Sequence, residues 1–249
     1  MRVKVLPQLF LSFFCAIGSH AQEVPGTLLE NTERGSIGQS APTATQTLTP
    51  KSDAIEEEHP RLFWIIPTYT VTNSKQHIPL TARGKWRLYE QNETDPFTYG
   101  WVAFEAGLAQ ANNDLPGYGQ GASGYGKRFG AGFADQAAGG FFGTFFFPTI
   151  LHQDPRYYRL GSGPFKNRLG HALIRPVLTH TDEGRRAFNL AGILGSIARS
   201  TLSNAYYPEG DRGVGPTFSR VGMSLPSSMI DELIDEFGPD LQNKIFGKH

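Results

Sequence analysis

Cysteine is almost missing from this 249-residue chain, which has Cys15 alone. Cys15 lies in an N-terminal stretch that reads as a secretory signal. Arg2 and Lys4 form its basic segment, Val5 to Ile17 is mainly apolar, and Ser19-His20-Ala21 offers small residues for cleavage. The apolar run is short of the roughly 20 residues that a spanning helix needs. Phe13 and Phe14 stand where a lipid-attachment signal requires a small residue. Cleavage after Ala21 leaves Gln22 first and a mature chain without a thiol, which excludes disulfides, a cysteine nucleophile and thiolate metal ligands.

A surplus of either charge is lacking too. Lys and Arg number 23, as do Asp and Glu, and loss of Arg2 and Lys4 with the signal leaves a mature charge of −2. Without a basic excess, nucleic acid is not an expected partner. Sustained two-residue alternation of apolar and polar residues is absent, which argues against a transmembrane β-barrel. Long apolar runs are scarce as well. Between Phe129 and Leu151 only Asp135 and Gln136 are strongly polar, a length that can cross a bilayer. The many glycines there, each costing up to about 1 kcal/mol in a helix, and a carboxylate at membrane depth favour a buried element instead.

What is present is helical periodicity. Residues 22–59 are rich in Ser, Thr, Pro, Gln and Glu and read as a disordered leader; a helical domain is expected over 60–249. It opens with an extended segment, Arg61 to Thr72, interrupted by Pro67. Thr81 caps a short helix to about Tyr89. Asp95 and Pro96 start the clearest helix, with Phe97, Trp101, Phe104, Leu108 and Ala111 as its expected core face. Ala122, Gly126, Gly130, Ala134 and Ala138 recur every fourth residue and predict a groove for close helix approach. Further helices are expected from Pro164, with Phe165, Leu169, Leu173 and Val177 inward, and after Asn189, with Leu190, Ile193, Leu194, Ile197, Thr201 and Ala205 inward and Ser196, Arg199, Ser200 and Ser203 outward. A last helix is expected to break at Pro226 and resume with Met229, Ile230, Leu233, Ile234 and Phe237. The expected fold class is all-α, a compact helical bundle with a Gly/Ala-rich central helix.

The densest polar string is LHQDPRYYR, Leu151 to Arg159. His152 and Asp154 have the chemistry of an acid–base pair or metal ligands. The alternative is that Asp154-Pro155 caps a turn while Arg156, Tyr157 and Arg159 tie it to its neighbours. Asp135 and His171 complete the candidate polar cluster, with His180 and Asp182 as further possible ligands. None has the spacing of a metalloprotease helix, and the glycines of GYGQGASGYGKRFG lack a nucleophile elbow or Walker spacing. No cofactor is therefore expected. SNAYYP, Ser203 to Pro208, offers an aromatic turn that could pack against Arg156-Tyr157-Tyr158.

GYGKRFGAGFAD, FFGTFFFP, LHQDPRYYR, SNAYYP and EFGPD together resemble a group of uncharacterised exported proteins found in acidobacteria, over Pro60 to Phe246. Its members usually carry Trp at the position of Gly238 and an uninterrupted helix at that of Pro226. The resemblance implies an envelope location and no particular activity. The expectation is an exported protein, periplasmic or outer-membrane-associated, that meets a membrane or an envelope protein. A metal-assisted hydrolase or a small-ligand module built on His152 and Asp154 is the alternative.

Overall fold

Helix starts follow their caps. In the computed structural model, residues 61–73 and 77–247 are described; the expected signal and the expected leader lie outside them. Helix α1 spans Ala82–Thr94, and the Thr81 hydroxyl oxygen accepts from the Gly84 N–H at 3.1 Å. It outruns the expected end at Tyr89, because nothing stops it before Asp95, whose extended backbone is the one a residue before proline prefers. Helix α2, Pro96–Ala111, begins as expected, the Asp95 carboxylate accepting from the Phe97 N–H at 2.8 Å. Helix α3, Gly121–Gly140, runs on through a π-helical turn, Phe141–Phe146, into α4, Phe147–Ile150.

Short strands follow, so the fold is mostly helical rather than all-α. Strand β1 (Val71–Thr72) pairs in parallel with β3 (Tyr157–Tyr158), and β2 (Gln153–Asp154) leads an antiparallel set with β4 (Leu178–Thr181) and β5 (Arg186–Phe188). Helix α5 covers Phe165–Ile174 and ends before Pro176, so Val177 of the expected inward face lies beyond it. Helix α6 covers Leu190–Leu202 under its Asn189 cap, and α7 covers Val214–Phe246.

α7 does not break at Pro226, nor at Pro239. An intrahelical proline removes the hydrogen bond to the carbonyl four residues back and loosens the next carbonyl. That next carbonyl is covered by a side chain at each of the three intrahelical prolines. The Thr149 hydroxyl donates to Phe145 O at 2.6 Å beside Pro148, and the Ser227 hydroxyl donates to Met223 O at 3.0 Å beside Pro226. Arg159 Nε and Arg168 Nη2 donate to Glu236 O at 2.9 and 2.7 Å beside Pro239. The π turn directly before Pro148 absorbs the same clash.

The helix faces differ most from expectation. In α6 the buried residues are Ala191, Gly195 and Ser200, followed by Ser203, while Leu190, Ile197 and Leu202 are exposed. In α2 the buried pair is Val102 and Ala106, and Phe104 is 55% exposed. In α5 Arg168 and Ala172 are buried and Phe165 and Leu173 exposed. In α3 the buried line is Gly124, Arg128, Ala131 and Ala138, so the expected small-residue stripe is rotated, and Gly126 and Gly130 face open space. Small residues set these seams because they let backbones approach: a Cβ on Gly195 would lie 3.0 Å from the Gly143 Cα. At Gly238 a Cβ would lie 2.6 Å from Leu62 Cδ2, leaving no room for an aromatic side chain unless Leu62 moves. No helix among the described residues is long and apolar enough to cross a membrane.

Candidate functional site

Two buried carboxylates organise LHQDPRYYR, and strand geometry assigns each its partners. Successive side chains of an extended chain point to opposite faces. Asp154, Arg156 and Tyr158 therefore share one face, Tyr157 and Arg159 the other.

On the first face Asp154, almost fully buried, accepts from Arg156 Nη2 at 2.7 Å, Arg156 Nε at 3.1 Å, the Arg156 N–H at 3.0 Å and the Tyr158 hydroxyl at 2.8 Å. Burial alone would raise its pKa, but the Arg156 guanidinium outweighs that and holds the carboxyl below its ordinary range. Arg156 also donates to Ile78 O at 2.6 Å, Arg175 to Arg156 O at 2.7 Å, and the Thr179 hydroxyl to Asp154 O at 3.1 Å. His77 stacks on the Tyr158 ring with centroids 4.9 Å apart, and its Nε2 is 3.6 Å from Asp154. His180 packs edge-on against the same ring, and burial followed by the charge of Arg175 lowers its pKa.

On the second face the carboxylate is Glu236 of α7, 0% exposed. It accepts from the Tyr157 hydroxyl at 2.7 Å, Arg168 Nε at 2.6 Å, and the N–H groups of Leu160 and Gly161 at 3.0 and 3.1 Å. Its pKa is lowered: Arg168 and Tyr157 override the penalty of burial. Asp240, one turn on, takes Arg168 Nη1 at 2.6 Å and also pairs with Arg159. His171 bonds through Nε2 to Tyr158 O at 2.9 Å and lies against the Tyr157 ring.

Two candidates lie elsewhere. The His152 side chain is 79% exposed on a left-handed backbone with φ +52, and Asp182 stands 3.9 Å from its Nδ1. Asp182 is itself paired at 2.8 Å with Lys85, which is buried and also donates to Pro148 O. Asp135 belongs to another site, where it accepts from the hydroxyls of Tyr206 and Tyr207. Those tyrosines are the aromatic turn of SNAYYP, so its hydroxyls go to α3 rather than to Arg156. They border an open cleft of about 650 Å³ lined also by Tyr118, Lys127 and Arg212.

Thus Asp154, Arg156, Tyr157, Arg159 and His171 meet around the short segment that runs from β2 through β3, whereas His152 and Asp135 stand apart. Sequence reasoning missed Glu236, Arg168, Lys85 and His77. The alternation D-x-R-x-Y beside Y-x-R was the available signal for two opposed networks. Glu236 and Asp240 are the ends of the string EFGPD, but nothing local tied that string to Tyr157, 79 residues from Glu236. Among the described residues no group of three or more His, Cys, Asp or Glu side chains is placed to hold a metal ion. No protein-family model matches the sequence, and neither a curated protein nor a solved structure is similar to it.

Proposed function

We propose that this chain is a non-enzymatic protein of the cell envelope, periplasmic or outer-membrane-associated, that packs as a compact helical bundle and works by holding a membrane surface. One observation carries the reading: polar and charged side chains fill much of the interior while large aromatics stand outside. Lys85, Asp154, Arg168 and Glu236 are buried, whereas Trp64, Phe104, Phe165 and Phe218 are exposed, Phe218 by 69%. Scattered apolar residues on a surface are ordinary, but buried ions combined with large exposed rings are not. An apolar or interfacial surrounding removes the cost of the rings, and the paired ions inside tolerate the dry interior.

The metal-assisted hydrolase and small-ligand readings gain no comparable support from the Asp154 cluster. A general base or ligand needs a free lone pair facing a substrate, and both Asp154 oxygens are taken by Arg156 and Tyr158. The deciding experiment floats the purified protein with vesicles of mixed neutral and anionic phospholipid on a density gradient. The protein is expected to rise with the vesicles. Protein that stays at the bottom at every lipid concentration, and is monomeric by light scattering, would overturn the reading.

A further inference from the structure

Helix α1 lies antiparallel to the π turn and α4. Tyr89 meets Phe141, Trp86 meets Phe145 edge-on with centroids 5.0 Å apart, and Lys85 reaches Pro148 O. Moving toward the start of α1 therefore means moving toward the end of α4. That shared end carries Trp86, 42% exposed, with Phe146 and Ile150, which are also exposed. Arg83 and Arg87, exposed on α1, stand three residues before and one residue after Trp86. Neither has an acidic partner among the described residues. The exposed acid of the same face, Glu90, is a turn further from the Ile150 end.

We infer that this end of the α1/α4 pair is a docking surface for an anionic phospholipid bilayer. The inference rests on the membrane reading above and adds the headgroup charge. Tryptophan settles at the headgroup level, where its ring is apolar and its N–H is wet. Apolar side chains such as Ile150 and Phe146 enter the acyl boundary from there. Two arginines beside the ring then lie at phosphate depth, where each cation strengthens binding to an anionic leaflet by about fivefold. A protein partner would need its own acids to meet both arginines, whereas an anionic leaflet supplies that charge at every position.

The test measures partition onto phosphatidylcholine vesicles with and without about 30% phosphatidylglycerol. The variants are Arg83→Gln with Arg87→Gln, Trp86→Ala, and a charge-matched control, Lys127→Gln with Arg212→Gln, at the Tyr118 cleft. All four cations are exposed; Arg212 also donates to Tyr207 O, so circular dichroism and an unchanged melting temperature verify the fold of each variant. Phosphatidylglycerol should tighten binding of the parent chain. The Arg83/Arg87 double variant should lose about 30-fold on the anionic vesicles and nothing on the neutral ones, following the per-cation effect. The control should match the parent. In about 1 M salt, where the screening length is roughly 3 Å, the gain from phosphatidylglycerol should disappear.

Equal binding to both vesicles, or equal losses in both double variants, would overturn this inference and leave the membrane reading standing. No binding to either vesicle would overturn both. A Trp86→Ala change that alters mass in light scattering but not vesicle partition would assign the patch to a second copy of the chain and overturn the inference.

Discussion

Replacing Glu236 by Gln tests the network that ties α7 to the Tyr157 strand. The carboxylate receives four donors, two on each oxygen: Arg168 Nε and the Gly161 N–H on Oε1, the Tyr157 hydroxyl and the Leu160 N–H on Oε2. An amide keeps one oxygen and presents N–H groups in place of the other, so one pair of donors faces a donor at either flip. A buried donor left without an acceptor costs about 1–3 kcal/mol. The Tyr157 hydroxyl can rotate, and Arg168 keeps Asp240 at 2.6 Å. The expected loss is therefore about 3–4 kcal/mol, at the low end for breaking a buried ion pair. That corresponds to a melting temperature lower by roughly 6–16 °C for a domain of this size. Urea denaturation at pH 7, followed by circular dichroism, should show a lower midpoint at an unchanged slope. Asp240→Asn serves as the control and should cost under about 1 kcal/mol, because its side chain is 43% exposed. A Glu236→Gln loss below about 0.5 kcal/mol would refute the reasoning, since surface substitutions reach that value.

Three further outcomes follow from the geometry. His152→Ala should change stability by less than about 0.5 kcal/mol while Asp154→Ala costs about 3–5 kcal/mol by stranding Arg156; a zinc-dependent melting shift lost in His152→Ala would reverse that assignment. Gly126→Ala, in open space on α3, should stabilise by up to about 1 kcal/mol, and Gly195→Ala, crowded by the Gly143 backbone, should destabilise by about 1–3 kcal/mol, both read from urea midpoints. Stability should also peak in mildly acid solution. Burial raises Glu232 to about 8 and Asp235 to about 7 on α7, so their neutral forms favour the fold and stability rises as pH falls from 9 toward 6. Asp154 and Glu236 are lowered, so the stability they supply is present above their unfolded values near about 4 and is lost as pH falls through their folded values. A melting temperature that climbs between pH 6 and 9 would contradict this, and Glu232→Gln should flatten the alkaline side.

Local chemistry was the legible part of this chain. Thr81, Asp95 and Asn189 cap helices where their side chains and the following residues indicate, because a cap is decided within about four residues. Pro226 misled for the opposite reason. Its cost is local, but its relief comes from the Ser227 hydroxyl at the loosened carbonyl, and at Pro239 from arginines about 70 to 80 residues away in sequence. Thr149 after Pro148 and Ser227 after Pro226 each bond the carbonyl four residues back, a contact open to Ser and Thr in a helix. The candidate site was half legible. Asp154, Arg156 and Tyr158 satisfy each other over five residues, while the carboxylate completing the other face sits on the last helix.

Helix faces failed for a physical reason that also bears on function. Assigning the apolar stripe of α6 inward assumes water outside and oil inside, so Leu190 and Ile197 are expected in the core and Ser200 and Ser203 at the surface. The observed order is reversed at each of those positions. Reversal costs least where the inward polar groups are bonded and the seams are narrow. Ser203 donates to Ser200 O at 2.9 Å, Arg220 reaches the same carbonyl at 3.1 Å, and Gly195 brings α6 onto the Gly143 backbone, while the Ser200 hydroxyl itself has no partner among the described residues. Tight backbone approach over small residues with hydrogen-bonded polar side chains is how helices associate when their surroundings give no hydrophobic drive. The outward leucines and phenylalanines then need a surrounding that accepts them, and water does so at about 25 cal/mol per Å² of apolar surface left exposed. The exchange recurs in part on α5, where Arg168 is buried and Phe165 and Leu173 are exposed, whereas the buried pair of α2, Val102 and Ala106, is apolar and only its Phe104 turns outward.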